Sequence, residues 1–262
     1  MSRIDECFKR LDREGCRALM PFITAGYPRL SMLEKVVVAL EDAGADMIEI
    51  GIPFSDPLAD GPIIQYANHR ALQQGVSPPA ILDEIGSFRV RVNMPILLLV
   101  YFNTMLSYGV DDFLSHCRKV GVDGLIIPDI SKEDREDIFI SAGDIDLIPM
   151  VAPTSHERIG NIVKNGSGFV YCVSSTGVTG PRASFDEDIL HFLQDVRRQS
   201  HIPIAVGFGV NNERQVKYLK PYCDGIIIGS ALIQKMIDYE DSSRLIEEIK
   251  DYIKGMSSAL DM

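Results

Sequence analysis

Glu49 lies within an apolar run, Met47-Ile48-Glu49-Ile50-Gly51, and is followed by Asp56 and Asp60 on a stretch punctuated by Pro53, Pro57 and Pro62. A carboxylate between Ile48 and Ile50 is costly to bury unless it is paired or used. No Lys or Arg is close in sequence to pair with it. Two carboxylates, one near a strand end and one on the loop that follows, point to general acid–base work on an organic substrate. Asp60 is read as the companion of Glu49, and Asp56 as a turn, cap or interface residue.

Three glycine-containing turns form a second group. They are STGVTG with Thr179 and Gly180, GFG with Gly207, Phe208 and Gly209, and GSA with Gly229 and Ser230. Glycine lets backbone N–H groups approach an anion closely, and a helix opening at Ser230 would add its positive end, so the pattern favours a phosphate site. Phe22, Tyr101, Tyr171 and Phe208 fall at or near strand ends, where each could be core and together they could wall a flat aromatic pocket. Other chemistries lack their residues. No lysine falls on an expected strand end, which argues against a Schiff base. The histidines at 69, 116, 156, 191 and 201 form no HxH or HExxH pattern, so no metal site is expected. No GxSxG elbow occurs.

Elements that could hold these groups alternate along the chain. Apolar runs at 18–24, 46–51, 95–101, 122–128, 145–151, 168–173, 203–208 and 224–228 read as strands buried on both faces. Helices fill the gaps. The segment 31–43 carries Leu33, Val36, Val37 and Leu40 on one stripe, with Ser31 and Glu34 as a capping box and Gly44 as the stop. Thr154 with Glu157, and Ser184 with Glu187, repeat the start signal. AGADMIEIG, VGVDGLIIP and YCDGIIIG form a faint repeat, each placing an Asp just before a strand. Eight strand–helix units favour a (β/α)8 TIM barrel of one domain, residues 1–262, over a doubly wound open sheet. Segment 1–13 would be an extra N-terminal helix covering the bottom of the barrel. Chemistry in such a barrel sits at the C-terminal strand ends, where the carboxylates and glycine turns fall.

The bulk composition agrees. The chain has 262 residues, 46% of them hydrophobic, enough for one large core. Its net charge of -11 argues against nucleic acid or an anionic membrane as partner. No apolar run is long enough to span a membrane. Five cysteines without CxxC spacing read as reduced thiols, and the charged N-terminal segment lacks a signal-peptide core, so a cytoplasmic location is expected.

The sequence resembles the tryptophan synthase alpha chain family. The resemblance rests on PFITAGYP (21–28), IEIGIPFSDPLADGP (48–62), RAL (70–72), PILLLVYFN (95–103), GLIIPD (124–129), VAPT (151–154), STGVTG (175–180), AVGFGV (205–210) and IIIGSA (226–231), which run from the first strand to the last. It implies a lyase that splits indole-3-glycerol phosphate into indole and glyceraldehyde 3-phosphate. It implies no cofactor in this chain, and a beta-chain partner that carries pyridoxal phosphate in an alpha2beta2 heterotetramer. It implies that Glu49 moves protons and that Asp60 bonds the indole N–H. Phe22, Leu99, Tyr101, Leu125, Ile127, Val151, Tyr171 and Phe208 would line the indole pocket. Gly180, Gly209, Gly229 and Ser230 would bind phosphate, and Thr179 would belong to a closing loop.

Three departures from the family pattern stand out: Ser131, expected as a helix N-cap, Ile63, expected to affect loop packing, and the variable segment 181–187. A mainly regulatory subunit, activating a beta chain with little lyase activity of its own, is the alternative reading. The retained Glu49 and Asp60 argue against it.

Overall fold

A computed structural model describes residues 1–58, 60–164, 166–173, 187–207 and 209–261. Its parallel strands are β1 Ala18–Thr24, β2 Ile48–Gly51, β3 Ile96–Leu99, β4 Gly124–Ile126, β5 Asp146–Ile148, β6 Met150–Val151, β7 Val170–Val173, β8 Ile204–Gly207 and β9 Gly225–Ile228. They are ordered β5-β4-β3-β2-β1-β9-β8-β7-β6, with helices between them. The strand expected at 145–151 is therefore two. Pro149 has no N–H and interrupts the ladder. β5 pairs with β4 and β6 with β7, so the ends of the sheet are neighbours in the chain and the barrel closes through one residue. Pro149 still lends its carbonyl to the Tyr171 N–H at 2.8 Å. With β5 and β6 taken as one broken strand, the (β/α)8 TIM barrel stands.

The N-terminal helix, Arg3–Glu14, opens with a Ser2–Asp5 capping box and buries Ile4, Cys7, Phe8 and Leu11. Phe8 meets Phe169 at 5.8 Å between ring centres. Arg3 and Arg10 pair with Asp123 and Asp46, which precede β4 and β2, so this helix lies across the N-terminal ends of the strands. The other capping expectations fare differently. Leu33, Val36, Val37 and Leu40 are buried as expected, but Ser31 lies in a 3₁₀ turn, Leu30–Met32, and does not cap the helix Leu33–Asp42. Glu34 instead reaches Arg91 at 2.8 Å. At Pro153–Arg158 the cap position is Ala152 rather than Thr154, and Ser155 accepts the Ala152 N–H, the part expected of Glu157. Ser184 lies outside the described residues.

The repeated aspartates have a structural meaning. The Asp46 N–H donates to the Leu19 carbonyl, and its carboxylate accepts the N–H of the same Leu19 at 3.0 Å. Asp123 does both with Ile96, and Asp224 with Ile204, the carboxylate bonds being 2.8 Å each. Ser167 repeats the arrangement on Leu147 with its hydroxyl. Each clamp satisfies an N–H at a strand start that the parallel ladder leaves open. The clamps join β1 to β2, β3 to β4, β5 to β7 and β8 to β9, and fasten the end of the barrel opposite the glycine turns.

Candidate active site

Glu49 stands on β2 level with Phe22 of β1 and Leu97 of β3. Only 2% of it is exposed, and neither carboxylate oxygen has a hydrogen-bond partner among the described residues. Burial, and then the Asp60 charge, push its pKa from 4.5 up to about 8. Asp60 enters from the loop after β2. Its N–H bonds the Pro57 carbonyl at 3.0 Å, and Gly61 then caps the helix Pro62–Gln73, with Pro62 at the first helical position. Gln65 donates to the Asp60 carbonyl at 2.8 Å, and Asn68 donates to Asp60 Oδ2 at 3.1 Å. Burial raises the Asp60 pKa to about 7, with the Asn68 bond pulling the other way. Tyr171, buried on β7, is kept neutral by burial and by the charges of Glu49 and Asp60. The two carboxylates titrate as a pair at the edge of neutrality, the range in which a proton can be both given and taken.

Both carboxylates line one cavity of about 30 Å³ with Phe22, Ile64, Leu99, Ile227 and Tyr171. Gly209, Gly229 and Ser230 line the same cavity. Ser230 opens the helix Ser230–Asp238, whose free N–H groups and positive end therefore face the same space. Gly209 holds φ at 89°, a left-handed conformation suited to glycine. At Gly207 a Cβ would lie 2.6 Å from the Tyr171 hydroxyl, so only hydrogen lets the Tyr171 ring lie flat against the wall.

Tyr101, Leu125, Ile127 and Val151 are buried in the barrel but do not line this cavity. Tyr101 stacks on Phe54, centroids 4.7 Å apart and planes 18° apart. Thr179, Gly180, Phe208 and the segment 181–186 lie outside the described residues. Ser131 caps the helix Lys132–Ala142 by accepting the Asp134 N–H at 3.0 Å. Ile63 packs against the core from the first turn of the helix Pro62–Gln73. Asp56 is exposed and accepts from Ser55, on a loop that also presents Leu58. Ile64, Asn68 and Ile227 are site residues that sequence reasoning missed. Asn68 left a signal, since it is an amide on a stripe otherwise made of Ile64, Ala67 and Ala71.

No group of three or more His, Cys, Asp or Glu side chains among the described residues is arranged to hold a metal ion. No described helix is long and apolar enough to cross a membrane. A separate open cleft of about 960 Å³ runs beside the N-terminal helix, where Arg3 and Arg10 are already engaged by Asp123 and Asp46.

The family described as "Tryptophan synthase alpha chain" matches residues 8–260. The chain belongs to the tryptophan synthase alpha chain family. A tryptophan synthase alpha chain from Thermoanaerobacter sp. (strain X514) is 46% identical over 99% of this chain and 100% of its own length. One from Clostridium kluyveri (strain ATCC 8527) is 41% identical over the full length of both. Among solved structures, tryptophan synthase subunit alpha from Legionella pneumophila superposes with a TM-score of 0.92 at 30% identity, covering 100% of this chain and 99% of that one. Mycobacterium tuberculosis tryptophan synthase superposes with a TM-score of 0.91 at 30% identity and the same coverage. The barrel described above is thus the architecture of the tryptophan synthase alpha chain.

Proposed function

We propose that this chain is the alpha subunit of a tryptophan synthase, a lyase that cleaves indole-3-glycerol phosphate to indole and glyceraldehyde 3-phosphate in tryptophan biosynthesis. The observation that carries the reading is one cavity lined both by two buried carboxylates and by the Gly229–Ser230 helix start. The substrate has the matching polarity, an aromatic N–H heterocycle at one end and a phosphate dianion at the other.

The placement of the two carboxylates supports the following steps. Glu49, with its pKa raised to about 8, holds a proton at neutral pH and delivers it to indole C3. The ring becomes a cation, stabilised by Asp60 through its bond to the indole N–H. Glu49, now ionised, takes the proton of the adjacent glycerol hydroxyl as the carbon–carbon bond breaks. The bonding electrons return to the ring, the aldehyde forms, and the Glu49 proton is restored. Phe22, Leu99 and Tyr171 would pack the heterocycle, while Gly209, Gly229, Ser230 and Gly180 would take the phosphate, with Thr179 on the closing loop.

The proposed partner is a beta chain carrying pyridoxal phosphate, in an alpha2beta2 assembly, with the cytoplasm as the location. Supporting the partner is the apolar surface around the Pro-rich loop: Leu58 is 87% exposed, beside an open cleft of about 410 Å³ lined by Phe54, Pro57, His69 and Leu72. Supporting the location, all five cysteines are free thiols.

The deciding measurement is indole release from indole-3-glycerol phosphate by the isolated chain and by the chain mixed with a beta chain. Release in both, faster in the mixture, is expected; none in either would favour the regulatory subunit. Asp56→Lys is expected to leave isolated turnover within about twofold and to weaken beta-chain stimulation severalfold, as rim charges do. Equal loss of both in a titration of turnover against beta chain would remove Asp56 from the interface.

A further inference from the structure

The helix Pro62–Gln73 buries Ile64, Ala67, Asn68 and Ala71 on one face. These positions are spaced three and four apart, so they form the stripe that docks on the barrel. Asn68 is the exception in chemistry, an amide only 3% exposed. A buried amide is unfavourable unless its hydrogen bonds are made. Asn68 makes one to the Asp60 carboxylate, 3.1 Å from Nδ2 to Oδ2, with both residues buried. One turn nearer the helix start, Gln65 holds the Asp60 backbone carbonyl at 2.8 Å. Two amides from consecutive turns thus grip one residue, Gln65 by its backbone and Asn68 by its side chain. Asp60 Oδ1 makes no hydrogen bond among the described residues, and Asp60 lines the cavity while Asn68 does not.

We propose that Asn68 is a positioning residue for Asp60, holding Oδ2 so that Oδ1 is turned to the cavity to receive the substrate N–H. The inference rests on the lyase reading above, in which Asp60 bonds the indole nitrogen. An unheld carboxylate in this setting would rotate about its side-chain torsions and acquire a proton, since burial opposes its charge. A protonated Asp60 could not stabilise a cation. Asn68 opposes both, because its N–H bonds more strongly to the charged carboxylate than to the neutral acid. The start of its own helix also favours negative charge at Asp60.

Among the described residues, the titratable groups facing Asp60 are few. Glu49 from β2 and Tyr171 from β7 share its cavity, while Phe22 of β1, Leu99 of β3 and Ile227 of β9 are apolar. On its own helix, Arg70 is turned to Glu240 at 3.8 Å and His69 to Gln73 at 2.9 Å. Among the described residues no cation balances Asp60, and the Asn68 amide is the main group favouring its charge.

Asn68→Leu keeps the buried volume and removes the donor, and Asn68→Asp keeps the shape and reverses the bond's polarity. On the whole chain, both are expected to lower kcat for indole release by about tenfold or more, with the KM for indole-3-glycerol phosphate changed by less than about threefold. The acid limb of the kcat profile should move upward by about half a pH unit or more. In an Asp60→Asn background, Asn68→Leu should cost almost nothing further, since the two residues act as one unit. Additive losses, or a fall in kcat with an unmoved pH profile, would show that Asn68 only packs the helix. A second readout separates this inference from the lyase reading: the carboxyl carbon of Asp60 titrated by NMR in wild type and in Asn68→Leu. A raised midpoint in the variant supports the positioning role even in a chain that releases no indole; an unchanged midpoint overturns it whatever the activity.

Discussion

Glu49→Gln is expected to lower indole release by about a thousandfold or more in kcat while substrate affinity stays within severalfold. Gln fills the same volume and can neither give nor take the proton. Single-turnover assays, with calorimetric binding of indole-3-glycerol phosphate, separate the two effects. Turnover within about tenfold of wild type would remove Glu49 from the proton transfers. The same variant carries a stability signature of definite sign. The folded-state pKa of Glu49 is raised to about 8 from 4.5. Below about pH 4.5 both folded and unfolded chains hold the proton, and the burial of Glu49 costs no charge transfer. Between about 4.5 and 8 only the folded chain holds it, so stability falls as pH rises through that window. The ceiling on this loss is about 5 kcal/mol, from the shift at about 1.4 kcal/mol per unit. Glu49→Gln removes the titration, so the inactive variant should be the more stable protein at pH 8 to 9, with the gap closing on acidification. Urea unfolding of both proteins across that range tests it, and a gap independent of pH would mean that the carboxyl is solvated or paired.

At the other end of the barrel, Asp123→Ala is expected to destabilise the fold by about 3–5 kcal/mol. Asp123 bonds Arg3 through Oδ1 at 2.9 Å, and through Oδ2 it bonds Arg89 at 3.0 Å and the Ile96 N–H at 2.8 Å. Arg89 is almost fully buried, and burial already lowers its pKa against the support of Asp123. Removing Asp123 leaves a desolvated guanidinium and an open strand N–H. Arg3 is more than half exposed, so Arg3→Ala should cost less than about 1 kcal/mol. Measured by urea midpoints, that contrast assigns the loss to Arg89 and Ile96. An Asp123→Ala loss below about 1 kcal/mol would show that water enters the base and solvates both groups. A domain of ordinary stability has about 5–15 kcal/mol in all, so this loss is a large fraction of the whole.

The strands were legible because continuous Val, Ile and Leu runs have few other uses in a chain of this length. Their ends were less so, since Pro149 decides where a ladder breaks and its effect depends on the neighbours on each side. Capping signals were local and open to competition: Glu34 found Arg91 across the fold, and the helical turn began at Ala152 with Ser155 reaching back, two residues before the Thr154–Glu157 pair. The repeated Asp was visible as a pattern, but its role was not, because each carboxylate serves the strand before its own. At the site, Glu49 and Asp60 stood out as charges in apolar or Pro-stiffened surroundings. Ile64 and Ile227 did not, since an apolar residue on a buried face says nothing about which cavity it lines. Asn68 could have been found by asking why an amide interrupts an apolar stripe.

The cavity lined by the carboxylates and the start of the Ser230 helix offers only about 30 Å³, room for a water or two and not for a bicyclic ring. In kinetic terms the pocket's own side chains are its first competitor. On the proposed reading a heterocycle would enter only in the fraction of time that Phe22, Ile64, Leu99 and their neighbours stand aside, and apparent affinity would be scaled down by that fraction. The same tendency to refill would act in the opposite sense on a cleaved product. With the bond to the phosphate-bearing half gone, the ring would lose its tether, and relaxation of the walls would drive it outward. A residue that propped the pocket open would then tighten substrate binding and slow product departure together.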